Sequence, residues 1–357
     1  MTQYTLVDQP NTISADLSQQ DRLGVDTEFM RESTYFAELS LLQISTSEHI
    51  YCVDPLAGND MEAFWTSATA TTWVLHSARQ DIEVIYQTSQ CMPSSIFDTQ
   101  IAAGLLGFPP QLGYANLAHE LFGVEIPKTH TRADWSKRPL TDVLLQYAAE
   151  DVEFLLPAYE ILAERLDAMG RLSWAEEDSA QLLNPALYNV DPGLAIDRLK
   201  GARNLRGRRR AVAARLAAWR ETEALRANRP RQWIAKDAVL ISLASQLPTT
   251  IDELHAVEGL ASGLIRRSGN RILAAIAAAD NDANDYMPPA TPDEAQKSLL
   301  KQMQNQVTKC AADLGLAAET IASRKDLSAL IIGGKHDSRI LTGWRRELIG
   351  DELLELL

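Results

Sequence analysis

The stretch Leu23-Gly24-Val25-Asp26-Thr27-Glu28 decides how this chain is read, because a short apolar run leads directly into two carboxylates separated by one residue. Such a run reads as a strand. The pattern returns at Ala37 to Ile44 and at His49 to Val53, so residues 22–54 read as three successive strands, with Trp73 to His76 as a fourth. Beyond them the texture turns helical. Ala78 to Gln87 sets Ile82, Ile85 and Tyr86 on one side of a helix, and Leu and Ala recur at helical spacing around 98–106, 113–122, 140–149 and 151–168. Phe108-Pro109-Pro110, Gly123 and Pro139 break these helices. Strands first and interleaved helices afterwards predict a mixed α/β domain.

The chain is 357 residues long, which predicts two or three domains, each large enough for its own core. With 46% apolar and 23% charged residues it reads as globular, not disordered or collagenous. No apolar run approaches the ~18 residues of a membrane span, and Met1 to Asp16 lacks a basic start followed by an apolar core, so a cytoplasmic location is expected. Cys52, Cys91 and Cys310 are odd in number and lack metal-like spacing, which predicts free thiols.

The net charge of −14 hides a segregation. Residues 1–194 carry 9 basic and 28 acidic side chains, residues 195–275 carry 16 and 7, and residues 276–357 carry 9 and 13. Within the basic stretch Arg198, Lys200, Arg203, Arg206, Arg208, Arg209 and Arg210 come nearly every second residue. That density suits a polyanion such as nucleic acid, and equally a solvated helix face. Asn184-Pro185 and Asp191-Pro192-Gly193 mark a connecting segment, after which helix-like runs at 208–227, 237–244, 250–256 and 263–279 are split by Arg229-Pro230 and Leu247-Pro248. A proline- and aspartate-rich linker at 280–293 precedes a last helical block that ends in a Gly-Trp-containing helix.

Three groups of residues carry candidate chemistry. Strand side chains alternate, so Asp26 and Glu28 project from one face, and two facing carboxylates are costly unless a hard cation such as Mg²⁺ neutralises them. Asp81 lies where a strand gives way to a helix, a place where sites collect in α/β proteins. Tyr147 and Asp151 are four residues apart and share one helix face. Taken singly, each has a plainer reading: a solvated loop pair, a helix-capping aspartate, and a core tyrosine beside a surface aspartate.

Together these residues resemble the three motifs of the DEDD superfamily of 3′–5′ exonucleases, in its tyrosine-bearing branch. Phe97-Asp98-Thr99-Gln100, Gly113-Tyr114-Ala115-Asn116-Leu117 and Lys128-Thr129-His130-Thr131-Arg132-Ala133-Asp134-Trp135-Ser136-Lys137-Arg138-Pro139-Leu140 are similar to the ribonuclease D family. Leu216-x-x-Trp219-Arg220-Glu221 and Leu247-Pro248 resemble an HRDC domain, and Asp326-Leu327-x-x-Leu330 with Gly343-Trp344-Arg345-Arg346-Glu347-Leu348-Ile349-Gly350 more faintly a second one. The resemblance implies a ribonuclease H-like mixed-sheet exonuclease domain at 1–175, a connection at 176–205, and two small all-α HRDC domains at 206–285 and 286–357. It implies hydrolysis of RNA from a free 3′ end to nucleoside 5′-monophosphates, in the trimming of tRNA precursors, by a monomer. Asp26, Glu28, Asp81 and Asp151 would hold two divalent ions, Mg²⁺ or Mn²⁺, with Tyr147 orienting the attacking water; Lys128, Arg132, Arg138, Arg206, Arg208, Arg209 and Arg210 would hold RNA phosphates. His76 is expected to be structural. A DNA exonuclease of the same superfamily and a non-catalytic RNA-binding protein are the alternatives, and nothing in the motifs senses a 2′-hydroxyl.

Overall fold

Six strands make one mixed sheet in a computed structural model that describes residues 2–127, 133–279, 286–287, 290, 292–333 and 338–357. They are β1 Thr5–Val7, β2 Arg22–Met30, β3 Glu38–Ser45, β4 Ile50–Val53, β5 Thr72–Leu75 and β6 Ser95–Asp98, in the order β1-β4-β3-β2-β5-β6. β2 with β3 and β3 with β4 are antiparallel; β1 with β4, β2 with β5 and β5 with β6 are parallel. β1 and β6 escape the sequence reading: β1 has three residues, and β6 runs straight into the helix Thr99–Leu105. β2 runs through both carboxylates to Met30, so Asp26 and Glu28 stand on the strand itself, opposite Gln43 and Leu41 of β3. β5 pairs with β2 only from Arg22 to Gly24, and its chain turns away beside the carboxylates.

The chain forms two compact units. The first comprises Met1–Met30, Glu38–Tyr188 and Thr291–Leu357. Its C-terminal helices Glu294–Leu314 and Arg324–Gly333 bury Leu300, Met303, Val307 and Leu330 in one core with Leu105, Leu117, Leu162 and Leu166 from the helices that follow the sheet. Gly107 marks a close approach within that core: its φ is +95°, and a Cβ there would lie 2.6 Å from the Gly315 carbonyl oxygen. The Trp344 ring stacks on Trp174 with centroids 4.4 Å apart, and its indole N–H donates to Asp178 at 3.2 Å. Arg345, 4% exposed, grips the same Asp178 with two nitrogens and donates to the carbonyls of Ile321 and Thr320.

The second unit comprises Arg31–Ala37 and Asn189–Ala290. Helices Gly207–Ala227, Asp237–Gln246 and Ser262–Ala278 enclose Leu216, Leu240, Leu243 and Ile272. The excursion Arg31–Ala37 is pinned to this bundle by Asn228, whose side-chain oxygen accepts the amides of Tyr35 at 3.0 Å and Phe36 at 3.2 Å. Among the described residues no helix is long and apolar enough to cross a membrane.

The buried Trp344 yields a stability prediction. Trp344→Ala should lower the unfolding free energy by about 3–5 kcal/mol in a urea titration, the usual cost of truncating a buried tryptophan. A loss under about 1 kcal/mol would mean that the C-terminal helices are not part of a shared core.

Candidate active site

The acidic side chains of the site are set by three elements. Asp26 and Glu28 lie two residues apart on β2. Asp81 occupies the first turn of the helix Arg79–Ser89 and is 7% exposed. The turn before that helix is held by a residue the sequence reading passed over: the buried Asp98 carboxylate accepts the amides of Ser77 at 3.1 Å, Ala78 at 2.9 Å, Gln100 at 2.8 Å and Ile101 at 3.3 Å. It caps one helix and braces the loop that presents Asp81, where Ser77 takes a positive φ of 62°. Tyr147 and Asp151 lie on the helix Asp142–Glu153. Tyr114 clamps the end of that helix, its hydroxyl donating to the Glu150 carbonyl and accepting the Phe154 amide, both at 3.0 Å.

The electrostatics bring the four carboxyl groups into one field. Burial, followed by the charges of Asp81, Asp151 and Glu28, holds the Asp26 pKa well above the ordinary carboxylate range. Burial and the charges of Asp151 and Asp81 raise Glu28 to about 8. Asp81 is raised by burial to about 7, against the Thr27 hydroxyl, which donates to it at 2.5 Å. Asp151 is likewise raised by burial to about 7, against a hydrogen bond from the Tyr147 hydroxyl. Burial and the neighbouring carboxylates push the Tyr147 phenol upward, so it stays protonated near neutral pH. Trp135, 2% exposed, packs beside Tyr147 with ring centroids 6.2 Å apart.

Among the described residues no three His, Cys, Asp or Glu side chains are preset around one point as ion ligands, and Asp81 and Asp151 accept hydroxyl hydrogen bonds instead. The chemistry of the donor set nevertheless fits a hard divalent cation: four carboxyl groups, partly or fully buried, whose ionised forms disfavour one another and offer only oxygen ligands.

The basic residues separate by geometry. Lys128 and Arg132 lie outside the described residues. Arg138 donates to both oxygens of Asp54 at 2.6 and 2.7 Å and to the carbonyls of Ser40, Trp135 and Lys137, so its guanidinium is engaged in holding the loop. Arg206, Arg208 and Arg209 are exposed, whereas Arg210 departs from the surface run: it is 4% exposed and donates to the Ala202 carbonyl. His76 is enclosed between the Thr99 hydroxyl at 2.9 Å and the Leu112 carbonyl at 2.8 Å, and Gln100 also donates to that carbonyl.

The class of protein is that of a 3′–5′ exonuclease with an HRDC module. A family profile described as a 3′–5′ exonuclease matches residues 3–167, and one described as an HRDC domain matches residues 209–276. Ribonuclease D of Gluconacetobacter diazotrophicus is 37% identical across 95% of this chain and 88% of its own length, and that of Pseudomonas paraeruginosa is 34% identical across 96% of each. The crystal structure of Escherichia coli RNase D, described as an exoribonuclease involved in structured RNA processing, has a TM-score of 0.90 at 27% identity, covering 99% of this chain and 98% of that one. The chain belongs to the ribonuclease D family and is a 3′–5′ exoribonuclease.

The raised carboxyl pKa values imply a pH-dependent stability with a definite sign. In the unfolded chain these groups ionise near pH 4; folded, Glu28, Asp81 and Asp151 keep their protons to about 7 or 8. The folded state therefore binds more protons across that window, and stability falls as pH rises through it. The melting temperature of EDTA-treated protein should fall from pH 5 to pH 8, and Mg²⁺ should raise it more at the higher pH. A Mg²⁺ gain that is equal at both ends, or unchanged in Asp26→Asn, would contradict this.

Proposed function

We propose that this exoribonuclease hydrolyses RNA from the 3′ end to nucleoside 5′-monophosphates with two divalent ions, Mg²⁺ or Mn²⁺, held by Asp26, Glu28, Asp81 and Asp151. The observation that carries the reading is the shared field of those four carboxyl groups. When bound, the ions supply a lowered pKa for water and charge stabilisation at the leaving 3′ oxygen. The chain's own residues do the rest. The Thr27 hydroxyl holds one oxygen of Asp81. Tyr147, protonated at neutral pH, acts as a hydrogen-bond donor that orients water and is unsuited to act as a base. Trp135 behind it limits the swing of the phenol ring.

The exposed Arg206, Arg208 and Arg209 of the second unit take phosphates of the RNA, and Lys128 and Arg132, outside the described residues, are further candidates for this role. This division answers the charge problem, since the acidic first 194 residues repel a polyanion wherever no cation reverses the field. Residues 206–285 serve as the first HRDC domain and 286–357 as a second HRDC-like block. Family membership supports tRNA precursors as substrates. The three free cysteines fit a reducing cytoplasm, and we take the chain to act as a monomer.

Three variants and a substrate comparison test the reading. Asp81→Asn should lower RNA cleavage by about 100-fold or more while leaving RNA affinity in EDTA unchanged. Tyr147→Phe should lower turnover by about 10- to 100-fold with little change in the Mg²⁺ concentration needed for half activity. Arg208→Gln should weaken RNA binding and reduce its salt slope by about 1. RNA should be degraded faster than DNA of the same sequence; faster loss of DNA, or full cleavage by Asp81→Asn, would overturn the assignment.

A further inference from the structure

The second unit carries a surface feature that the arginine run at 206–210 does not explain. Trp233 is 63% exposed, on the short helix Arg231–Ile234, in a chain whose other described tryptophans are buried or half-buried. A single exposed apolar residue needs no explanation by itself, and what distinguishes this one is the charge around it. It borders a cavity of about 520 Å³ whose rim carries Lys236 and Arg267, with Glu258 as the one opposing carboxylate. A second cavity of about 480 Å³, which shares Gln232 with the first, is lined by Arg31, Arg198, Lys200, Arg220 and Arg231 against Glu32 and Asp237.

These cations are held in place by buried partners. Glu221, 1% exposed, accepts the Tyr35 hydroxyl and pairs with Arg198 at 3.3 Å and Arg231 at 3.6 Å. One buried carboxylate thus orients two arginines whose side chains remain 47% and 36% exposed. Arg220, 3% exposed, donates through one terminal nitrogen to Asp237 at 2.6 Å and to the Ala235 carbonyl at 3.0 Å, which ties down the segment after Trp233. Its buried Nε has no hydrogen-bond partner among the described residues.

We propose that the segment Arg231–Lys236 is a single-strand RNA contact, in which a base stacks on Trp233 and the adjoining phosphate enters the cavity of Arg198, Lys200, Arg220 and Arg231. The proposal rests on the ribonuclease reading and adds to it a contact upstream of the cleaved end. Aromatic stacking beside phosphate-gripping cations is how proteins hold single strands without reading sequence, since every base has a face to stack. Preorganisation by Glu221 means that the two arginines lose little freedom on binding. The contact therefore serves strands long enough to reach it and is silent on the shortest substrates.

The test uses the full chain and two readouts. Affinity for a labelled unstructured RNA of about 12 nucleotides is measured in EDTA at several salt concentrations, and cleavage of a trinucleotide is measured in Mg²⁺. Trp233→Ala should weaken RNA binding by about 5- to 100-fold with an unchanged salt slope, and Trp233→Phe should restore most of the affinity. Lys200→Gln should reduce the salt slope by about 1. Trinucleotide cleavage should be unchanged in all three. Wild-type affinity in Trp233→Ala would overturn the proposal and leave the exposed ring to a protein partner. Failure of the wild type to cleave the trinucleotide would sink the nuclease reading alone, because the EDTA binding comparison does not depend on cleavage.

Discussion

Asp26, Glu28, Asp81 and Asp151 act on one another through their charges, and the elements that carry them are braced separately. Asp26 and Glu28 alternate onto one face of β2, which pairs with β3 from Gly24 to Met30 with a shift of register after Glu28. Asp81 is delivered by a helix whose approach is braced by the four amides gathered on Asp98. Asp151 arrives on a helix that Tyr114 fastens at its end. Each carboxylate is thus fixed by hydrogen bonds made elsewhere, so the site cannot relax by spreading apart. What remains is to hold protons, as Glu28 does up to about pH 8, or to bind cations.

The same constraint shapes the rest of the molecule. An acidic catalytic unit is poorly suited to attract RNA, and the chain concentrates its basic residues at 195–275, in the second unit. That bundle keeps some of them as structural ties: Arg210 and Arg220 are buried and bonded to main-chain carbonyls. Others stand at the surface, among them Arg206, Arg208 and Arg209. Charge count alone does not separate the two kinds, since a guanidinium can close a helix junction as readily as grip a phosphate.

Much of the site was legible because its signals are local. The two-residue spacing of Asp26 and Glu28 and the four-residue spacing of Tyr147 and Asp151 translate directly into shared faces of a strand and a helix. Asp98 was visible only as part of a family motif, because its bracing role depends on β5 and β6 lying side by side. The strand at Ser95–Asp98 passes directly into the helix Thr99–Leu105, whose pattern hides it. Gly343-Trp344-Arg345 reads in the sequence as a mark of a helical repeat, whereas in the structure these residues fasten the C-terminal helices to Trp174 and Asp178. An amphipathic helix declares that one face is covered and is silent about what covers it. Trp233 shows the converse, since hydrophobicity alone assigns it to a core and only the structure reveals it at the surface.

The central claim is that these separated acids meet to hold cations. Anomalous diffraction from a crystal of the protein soaked in Mn²⁺ measures this directly. The account predicts two peaks, each within ligand distance of oxygens drawn from Asp26, Glu28, Asp81 and Asp151. Manganese bound only at other places, or a carboxylate of the four that reaches neither peak, would contradict it.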